Sequence, residues 1–391
     1  MRIAISTSTV HDNYREGLVE YIQKLITNLA NLDAINEYFI FMPRLHNSLF
    51  PVHQQNFIIV RINGFFCTPF GSLVWHLFLY PIYLFYYRID VVHLPEYRRP
   101  LLIAPCKTIM TVHDLIGFNI EGHFLSRKRE VFHRLIIRLM RATVDSFIAV
   151  SQNTKNDIVK HANVEINRIK VIYEGVDSRF RPRKMTEIPK GFFKKYNLPD
   201  RFILCVSRIE HPLKNHVKLL EAINLLRNSP GFSSMTFGFV GRLSRKHEIV
   251  LQRIKELNLE KHVTVFGYVD DEDLPFFYNT ARLLVFPSLY EGFGFPVLEA
   301  YASGLPVICS NSSSLRELAC SEEMLFNPLD GQELASKLRL FVTDEMQRMI
   351  QLERQKDKMN TFSWRRLAEE TLSEYQRLSI CTGNRTGMKR D

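Results

Sequence analysis

The stretch Pro287-Ser288-Leu289-Tyr290-Glu291-Gly292-Phe293-Gly294-Phe295-Pro296-Val297-Leu298-Glu299-Ala300, continuing through Tyr301-Ala302-Ser303-Gly304-Leu305-Pro306-Val307-Ile308, reads as strand end, glycine turn, helix and new strand. Leu283 to Phe286 is apolar and stops at Pro287, as a buried strand would. Gly292 and Gly294 allow a tight turn and leave no side chain over its amides. Pro296 suits the first turn of a helix, where its missing N–H costs nothing. Gly304 can end that helix in a left-handed conformation. Glu291 falls in the turn and Glu299 inside the helix. A helix N-terminus with bare amides in front of it is an anion site. Two carboxylates beside an anion site are unfavourable unless they hold something else, such as hydroxyl groups. Phosphate together with polyol describes a sugar nucleotide.

Outward from this stretch the chain alternates strand and helix. Ile3–Ile5, Tyr38–Met42, Phe57–Ile62, Asp90–His93, Thr108–Val112, Ser146–Val150 and Ile169–Tyr173 are short β-branched runs separated by helical patterns. Leu18 to Leu32 has its apolar residues at helical spacing. That alternation predicts a parallel sheet with helical crossovers. Polar residues fall just past the carboxyl ends of the strands, where such sheets bind ligands: His93, His113 with Asp114, Ser151, and Glu174 with Gly175 and Asp177. A charged, proline-punctuated segment at 178–198 marks a boundary. A second series follows, with strands at Phe202–Val206, Met235–Val240 and Val263–Phe266. Ser363–Leu378 closes the chain as an amphipathic helix.

Length and charge limit the choices. The 391 residues favour two domains at about 100–200 residues each. The net charge of +10 is spread evenly: 20 basic against 15 acidic residues up to residue 180, and 31 against 26 after it. Neither half is a basic tail, and nucleic acid is not an expected partner. A mild positive charge suits anionic ligands or an acidic membrane surface. The cysteines Cys67, Cys106, Cys205, Cys309, Cys320 and Cys381 form no C-x-x-C pair, which fits reduced thiols in a cytoplasmic protein. Met1-Arg2-Ile3-Ala4-Ile5-Ser6 reads as a first strand rather than a signal peptide. Leu73 to Tyr87 is the most hydrophobic stretch. It falls short of the about 20 residues a bilayer span needs, so a buried aromatic helix or helix pair is expected and a shallow membrane contact is the second reading.

Two further clusters carry chemistry. In Ser207-Arg208-Ile209-Glu210-His211-Pro212-Leu213-Lys214-Asn215, Arg208 follows a strand and Lys214 stands at the start of a helix. A cation there opposes the helix dipole, and a pyrophosphate held between Arg208 and Lys214 removes the conflict. The alternative is an exposed Lys214 paired with Glu210. In Gly267-Tyr268-Val269-Asp270-Asp271-Glu272-Asp273 the acids read as a helix cap rather than a metal site. The backbone of Tyr268 and Val269 borders a base pocket in this reading, and Gly241 ends the preceding strand.

With these residues in place, the chain resembles a retaining glycosyltransferase of family 4, and within it the bacterial mannosyltransferases. Glu291-Gly292-Phe293-Gly294-Phe295-Pro296-Val297-Leu298-Glu299 resembles the family's E-x7-E signature, Arg208 and Lys214 its R-x5-K pair, and Thr111-Val112-His113-Asp114-Leu115 its H-D-L element. Val171 to Asp177 and Thr361-Phe362-Ser363-Trp364 resemble the strand leaving the first domain and the start of the terminal helix. The resemblance implies the GT-B fold: Rossmann-like domains at 1–180 and 181–362 facing a cleft, with a helix at 363–380 crossing back to the first. It implies that Arg208 and Lys214 neutralise the leaving diphosphate, Glu291 holds the donor sugar with help from the Phe293 and Gly294 amides, Glu299 holds the ribose, and His113 contacts the sugar. It implies transfer with retention, with no cofactor and no bound metal. The sequence departs from the family at Asn13-Tyr14-Arg15-Glu16-Gly17-Leu18-Val19, where Gly17 alone remains of a glycine-rich loop. Acceptor contacts at Gly17 and Asp114 are therefore less defined.

A hexose transferred from GDP-mannose to a glycan or lipid-linked saccharide, in cell-surface polysaccharide or lipopolysaccharide synthesis, is the expectation. UDP-hexoses are the second choice of donor. A non-catalytic sugar-nucleotide-binding subunit is the competing class, and donor-dependent nucleotide release separates the two. A hydrolase using Glu291 and Glu299 is disfavoured, because a carboxylate near a helix N-terminus stays ionised. A dehydrogenase is disfavoured because no G-x-G-x-x-G follows the first strand. Arg127-Lys128-Arg129, Arg134, Arg138 and Arg141 lie in one helix, with Arg134, Arg138 and Arg141 on one face. They read either as a solvated face or as a contact for anionic lipid headgroups, which would place the protein on the inner face of the cytoplasmic membrane.

Overall fold

The computed structural model describes residues 1–7, 17–43, 53–99, 101–120 and 127–383. The chain divides into two units, Met1–Gly175 with the segment from Ser363, and Val176–Phe362. The first change of unit comes five residues before the expected boundary.

Among the described residues the first unit holds seven strands: β1 (Arg2–Ser6), β2 (Glu37–Pro43), β3 (Phe57–Ile62), β4 (Val91–Leu94), β5 (Lys107–Val112), β6 (Ser146–Ala149) and β7 (Ile169–Val171). Their order is β3-β2-β1-β4-β5-β6-β7, and every pairing is parallel. Ile3, Ala4, Ile5, Val91 and Val92 are fully buried, as strands covered on both faces must be. The helix Gly17–Leu32 buries Tyr21, Ile22, Leu25 and Leu29, the stripe its spacing predicts.

The terminal helix Trp364–Gly383 packs against Gly17–Leu32, so the chain's last helix does return to the first unit. A buried relay fixes it there. Tyr21 Oη meets Thr111 Oγ1 at 2.8 Å, Thr111 Oγ1 meets His93 Nε2 at 2.8 Å, and His93 Nδ1 meets Tyr375 Oη at 2.6 Å. Burial, helped by nearby His113, pushes His93 down to about 3. It is a neutral structural imidazole. A Cβ on Gly175 would lie 2.3 Å from the Trp364 amide nitrogen, so that glycine lets the terminal helix start against the chain leaving β7.

The second unit holds β8 (Phe202–Val206), β9 (Thr236–Val240), β10 (Val263–Gly267), β11 (Leu283–Phe286), β12 (Val307–Ser310) and β13 (Leu325–Phe326), in the order β10-β9-β8-β11-β12-β13 and again all parallel. The two-residue β13 was not anticipated. The order reverses between β8 and β11, and the loops leaving these two strands carry the residues singled out above. Cys67, Cys106, Cys205, Cys309 and Cys320 are free thiols. Cys381 lies outside the described side chains.

The expectation of a buried helix pair at 73–87 is half overturned. Trp75, His76, Tyr80 and Leu84 face the core, while Phe78, Ile82, Phe85 and Tyr86 are exposed. The run is apolar on both sides, so periodicity could not tell which side the sheet would cover.

Candidate active site

The glycine turn is built as its sequence requires. The helix Phe295–Ser303 starts from Gly294 at φ 119° and stops at Gly304 at φ 71°, with Pro296 in its first turn. A Cβ on Gly294 would come within 2.8 Å of Leu315 Cδ2 and 3.0 Å of Leu318 Cδ1. Three serines that the sequence did not single out brace the turn. Ser313 Oγ accepts from the Glu291 amide at 2.9 Å. Ser314 Oγ donates to the carbonyls of Glu291 and Phe293 at 3.0 and 2.6 Å, and Ser312 Oγ donates to that of Ser288 at 3.1 Å. Gly292 lies in the bend. Phe293 packs edge-on against Phe295 and Phe362.

The loop after β8 meets this turn. The Leu289 amide donates to the Leu213 carbonyl at 2.9 Å, and Lys214 Nζ donates to Glu291 Oε1 at 2.6 Å. Lys214 is only 8% exposed. The expected alternative, an exposed Lys214 on Glu210, is not formed; Arg208 takes Glu210 instead, at 3.5 Å. Lys214 sits one residue before Asn215, which precedes the helix His216–Leu226 and is anchored by its Nδ2 to the Pro328 carbonyl at 2.8 Å. Two largely buried opposite charges 2.6 Å apart hold each other in place, and removing either leaves the other uncompensated. His216 adds no charge behind them, because burial pushes it down to about 4, with Lys214 acting in the same direction.

The other residues expected on the donor side fall at neighbouring strand ends and in the helix Phe295–Ser303. Gly241, at φ 145°, lies so close to the chain leaving β8 that a Cβ would stand 1.9 Å from the Ser207 carbonyl oxygen. Tyr268 is half exposed at the end of β10, and the Arg242 guanidinium lies over its ring at 4.7 Å. Val269 is buried. Glu299 accepts the Tyr278 hydroxyl at 2.5 Å, and burial first, then this carboxylate, pushes the tyrosine far up. The acidic run does not cap its helix. Asp273 precedes Leu274–Thr280 without a side-chain bond to it. Asp270 and Asp273 instead take Lys195 at 2.6 and 2.7 Å, and Asp273 also takes Tyr196, docking the helix Lys190–Tyr196. Among the described residues no three His, Cys, Asp or Glu side chains converge as metal ligands.

In the first unit His113 follows β5. Its Nε2 lies 3.0 Å from the Pro95 carbonyl and its Nδ1 3.2 Å from Glu174 Oε1. The Glu174 contact is an ion pair whose angle falls short of a hydrogen bond. Burial opposes the imidazolium, but the buried Glu174 carboxylate and the Pro95 carbonyl outweigh it and raise His113 above its ordinary 6.5. Both ring nitrogens therefore face acceptors, as a cation would. Sequence reasoning placed Glu174 past a strand end without giving it a partner; the structure sets it against His113. Asp114 Oδ1 accepts the Ile116 amide at 3.1 Å, and Gly17 opens its helix. Asn13 to Glu16 lie outside the described residues.

This pairing predicts a pH effect. A raised folded value means that His113 contributes stability below its unfolded value and loses the contribution as pH rises through the folded value. Glu174→Gln should lower the His113 midpoint, read by NMR titration of its ring carbon protons. Equal midpoints in both proteins would show that Glu174 does not hold the charge.

A lysine–carboxylate pair stands beside a glycine turn where the strand order of a parallel sheet reverses, the edge at which such sheets take ligands. Residues 15–180 match the family described as Glycosyltransferase Family 4, and residues 190–358 match Glycosyl transferases group 1. The chain belongs to these glycosyltransferases and has their two-Rossmann-domain GT-B fold. It is 30% identical over 297 residues to the O-antigen chain mannosyltransferase B of Escherichia coli, covering 75% of each chain. It is 32% identical over 249 residues to the serotype-specific mannosyltransferase WbdA of the same organism, which is 62% of this chain but 30% of that protein. In fold it is similar to the sucrose-phosphate synthase of Thermosynechococcus elongatus, with a TM-score of 0.75 at 19% identity, covering 97% of this chain and 99% of that one.

Proposed function

We propose that this glycosyltransferase moves mannose from GDP-mannose, with retention and without a metal ion, to a glycan or lipid-linked saccharide in cell-surface polysaccharide synthesis. The Lys214–Glu291 pair carries the reading. Lys214, with Arg208 nearby in sequence, supplies positive charge for the diphosphate as it leaves, the role a divalent ion would otherwise fill. Glu291, fixed by Ser313 and Ser314 through its backbone, presents acceptors to the sugar hydroxyls. Glu299 serves the ribose, and the Tyr268–Val269 backbone borders the base. His113, whose ring nitrogens face Pro95 and Glu174, donates toward a sugar hydroxyl only by releasing one of them. The mannosyltransferase names of the relatives above support the choice of sugar.

The test is a thermal-shift screen with GDP, UDP and ADP, followed by turnover of the matching sugar nucleotides on oligosaccharide acceptors. GDP should stabilise most, GDP-mannose should be turned over in EDTA, and the product should keep the donor's anomeric configuration. Preference for UDP, an inverted product or loss of activity in EDTA would each overturn the corresponding part. Nucleotide binding without donor-dependent release would make the chain a non-catalytic subunit.

A further inference from the structure

The side of the helix Tyr80–Tyr86 and the turn before it that faces away from the core is an exposed apolar ridge. Phe78, Ile82, Phe85 and Tyr86 follow one another at helical spacing and are 58, 62, 76 and 76% exposed. Phe65 and Phe70, earlier in the segment, are exposed as well, and all of these residues lie in a unit whose core is filled by Trp75, Tyr80 and Leu84. The ridge does not stand alone. Arg99 Nε donates to Ser72 Oγ at 3.0 Å, and Tyr97 Oη meets His133 Nδ1 at 3.4 Å, so the loop after β4 ties the ridge to the helix Arg127–Thr143. Both helices cover the same side of the sheet, since Tyr80, Leu84, Ile136, Ile137 and Met140 share one core. On the outward side of the second helix Val131 and Leu135 are exposed beside Arg134, Arg138 and Arg141, and in the loop Leu102 and Ile103 are exposed beside Arg98.

From this juxtaposition of an exposed aromatic ridge with flanking arginines, we infer that the surface formed by the exposed side chains of 70–86, Arg98, Leu102, Ile103 and 131–141 docks on an anionic lipid bilayer. Phenylalanine, tyrosine and isoleucine enter the boundary between headgroups and acyl chains, and arginines meet the phosphates at its edge. Among the described residues, Glu130, paired with Arg134 at 2.8 Å, and Glu96 and Asp114, both near Arg98, are acids that face these arginines. Arg138 and Arg141 add charge beyond these pairs. No helix among the described residues is long and apolar enough to cross a membrane, so the surface lies on the bilayer rather than in it. A second copy of this chain is a poorer occupant, because a self-complementary pairing would set one arginine-flanked surface against another. The inference goes beyond the donor reading, since no residue of the second unit enters it.

The experiment is flotation of the full chain with vesicles of phosphatidylglycerol and phosphatidylethanolamine, and with phosphatidylcholine vesicles alone. The anionic vesicles should carry the protein, and more weakly as salt rises. Arg138→Glu with Arg141→Glu should lower partitioning at least roughly fivefold per arginine. Phe78→Ser with Ile82→Ser and Phe85→Ser should lower it roughly a hundredfold. Both variants should keep the thermal unfolding profile, since these side chains face water, and should keep wild-type nucleotide binding, so this inference and the donor reading fail separately. It is overturned if the full chain stays with the soluble fraction, if the apolar variant partitions like wild type, or if sedimentation equilibrium reveals a dimer that the apolar variant dissociates.

Discussion

Lys214→Ala should lose nucleoside diphosphate binding by roughly a hundredfold or more, while Glu291→Ala should bind the same diphosphate at least as tightly as the wild type. The asymmetry follows from the 2.6 Å pair. With Lys214 removed, the Glu291 carboxylate is left without its cation and faces the incoming phosphates, so desolvation and repulsion add to the lost attraction. With Glu291 removed, Lys214 is a mostly buried ammonium without its counter-ion, and a diphosphate relieves that. Each single variant should be destabilised, by about 3 kcal/mol, the usual cost of breaking a buried pair. Added diphosphate should raise the melting temperature of Glu291→Ala more than that of the wild type, and that of Lys214→Ala hardly at all. Turnover should fall about a hundredfold or more in Glu291→Ala, because the sugar loses its positioning group. Thermal shift with diphosphate and steady-state turnover decide the matter together. Equal loss of diphosphate affinity in both variants would contradict the division of roles.

Local chemistry was legible in the sequence, and meetings between distant segments were not. The seven strands of the first sheet were found because each is a short β-branched run, and the glycine turn because Gly294 and Gly304 admit positive φ while Pro296 fixes a helical one. The Lys214–Glu291 pair joins residues 77 apart, and nothing local fixes which loops meet at the carboxyl edge of a sheet. The His113–Glu174 pair depends in the same way on where β5 and β7 end. The acids at 270–273 were assigned by the nearest rule, helix capping, and Lys195 competed successfully for Asp270 and Asp273. Ser312, Ser313 and Ser314 carry no signal in composition, because a serine run reads as a loop whatever its hydroxyls bind. The helix Tyr80–Tyr86 is apolar all round, so its spacing could not reveal that one side stays in water.

Gly241→Ala should be the most damaging single change in the second unit. The loops after β8 and β9 run side by side there: Ser207 donates its amide to Val240, Ile209 to Arg242, and Gly241 to Gly267 across the next strand, at 2.8–2.9 Å. A methyl group at Gly241 would stand 1.9 Å from the Ser207 carbonyl oxygen and 2.6 Å from its carbon, and these are backbone atoms that no rotamer change can move. The φ of 145° adds strain for any side chain. Together these should cost about 4 kcal/mol. The alternative to that cost is separation of the two loops, which would carry Arg208 away from Lys214 and take nucleotide binding with it. Gly267→Ala is the internal comparison. It shares the left-handed backbone, at φ 69°, but its Cβ would meet nothing within 4 Å. Its cost should be the backbone term alone, about 1 kcal/mol. Thermal unfolding followed with and without nucleoside diphosphate separates the two cases. Gly267→Ala should unfold slightly early and still respond to the nucleotide, while Gly241→Ala should unfold far earlier and respond little. If the two variants melt together, the close approach of the β8 and β9 loops does not govern this edge of the sheet.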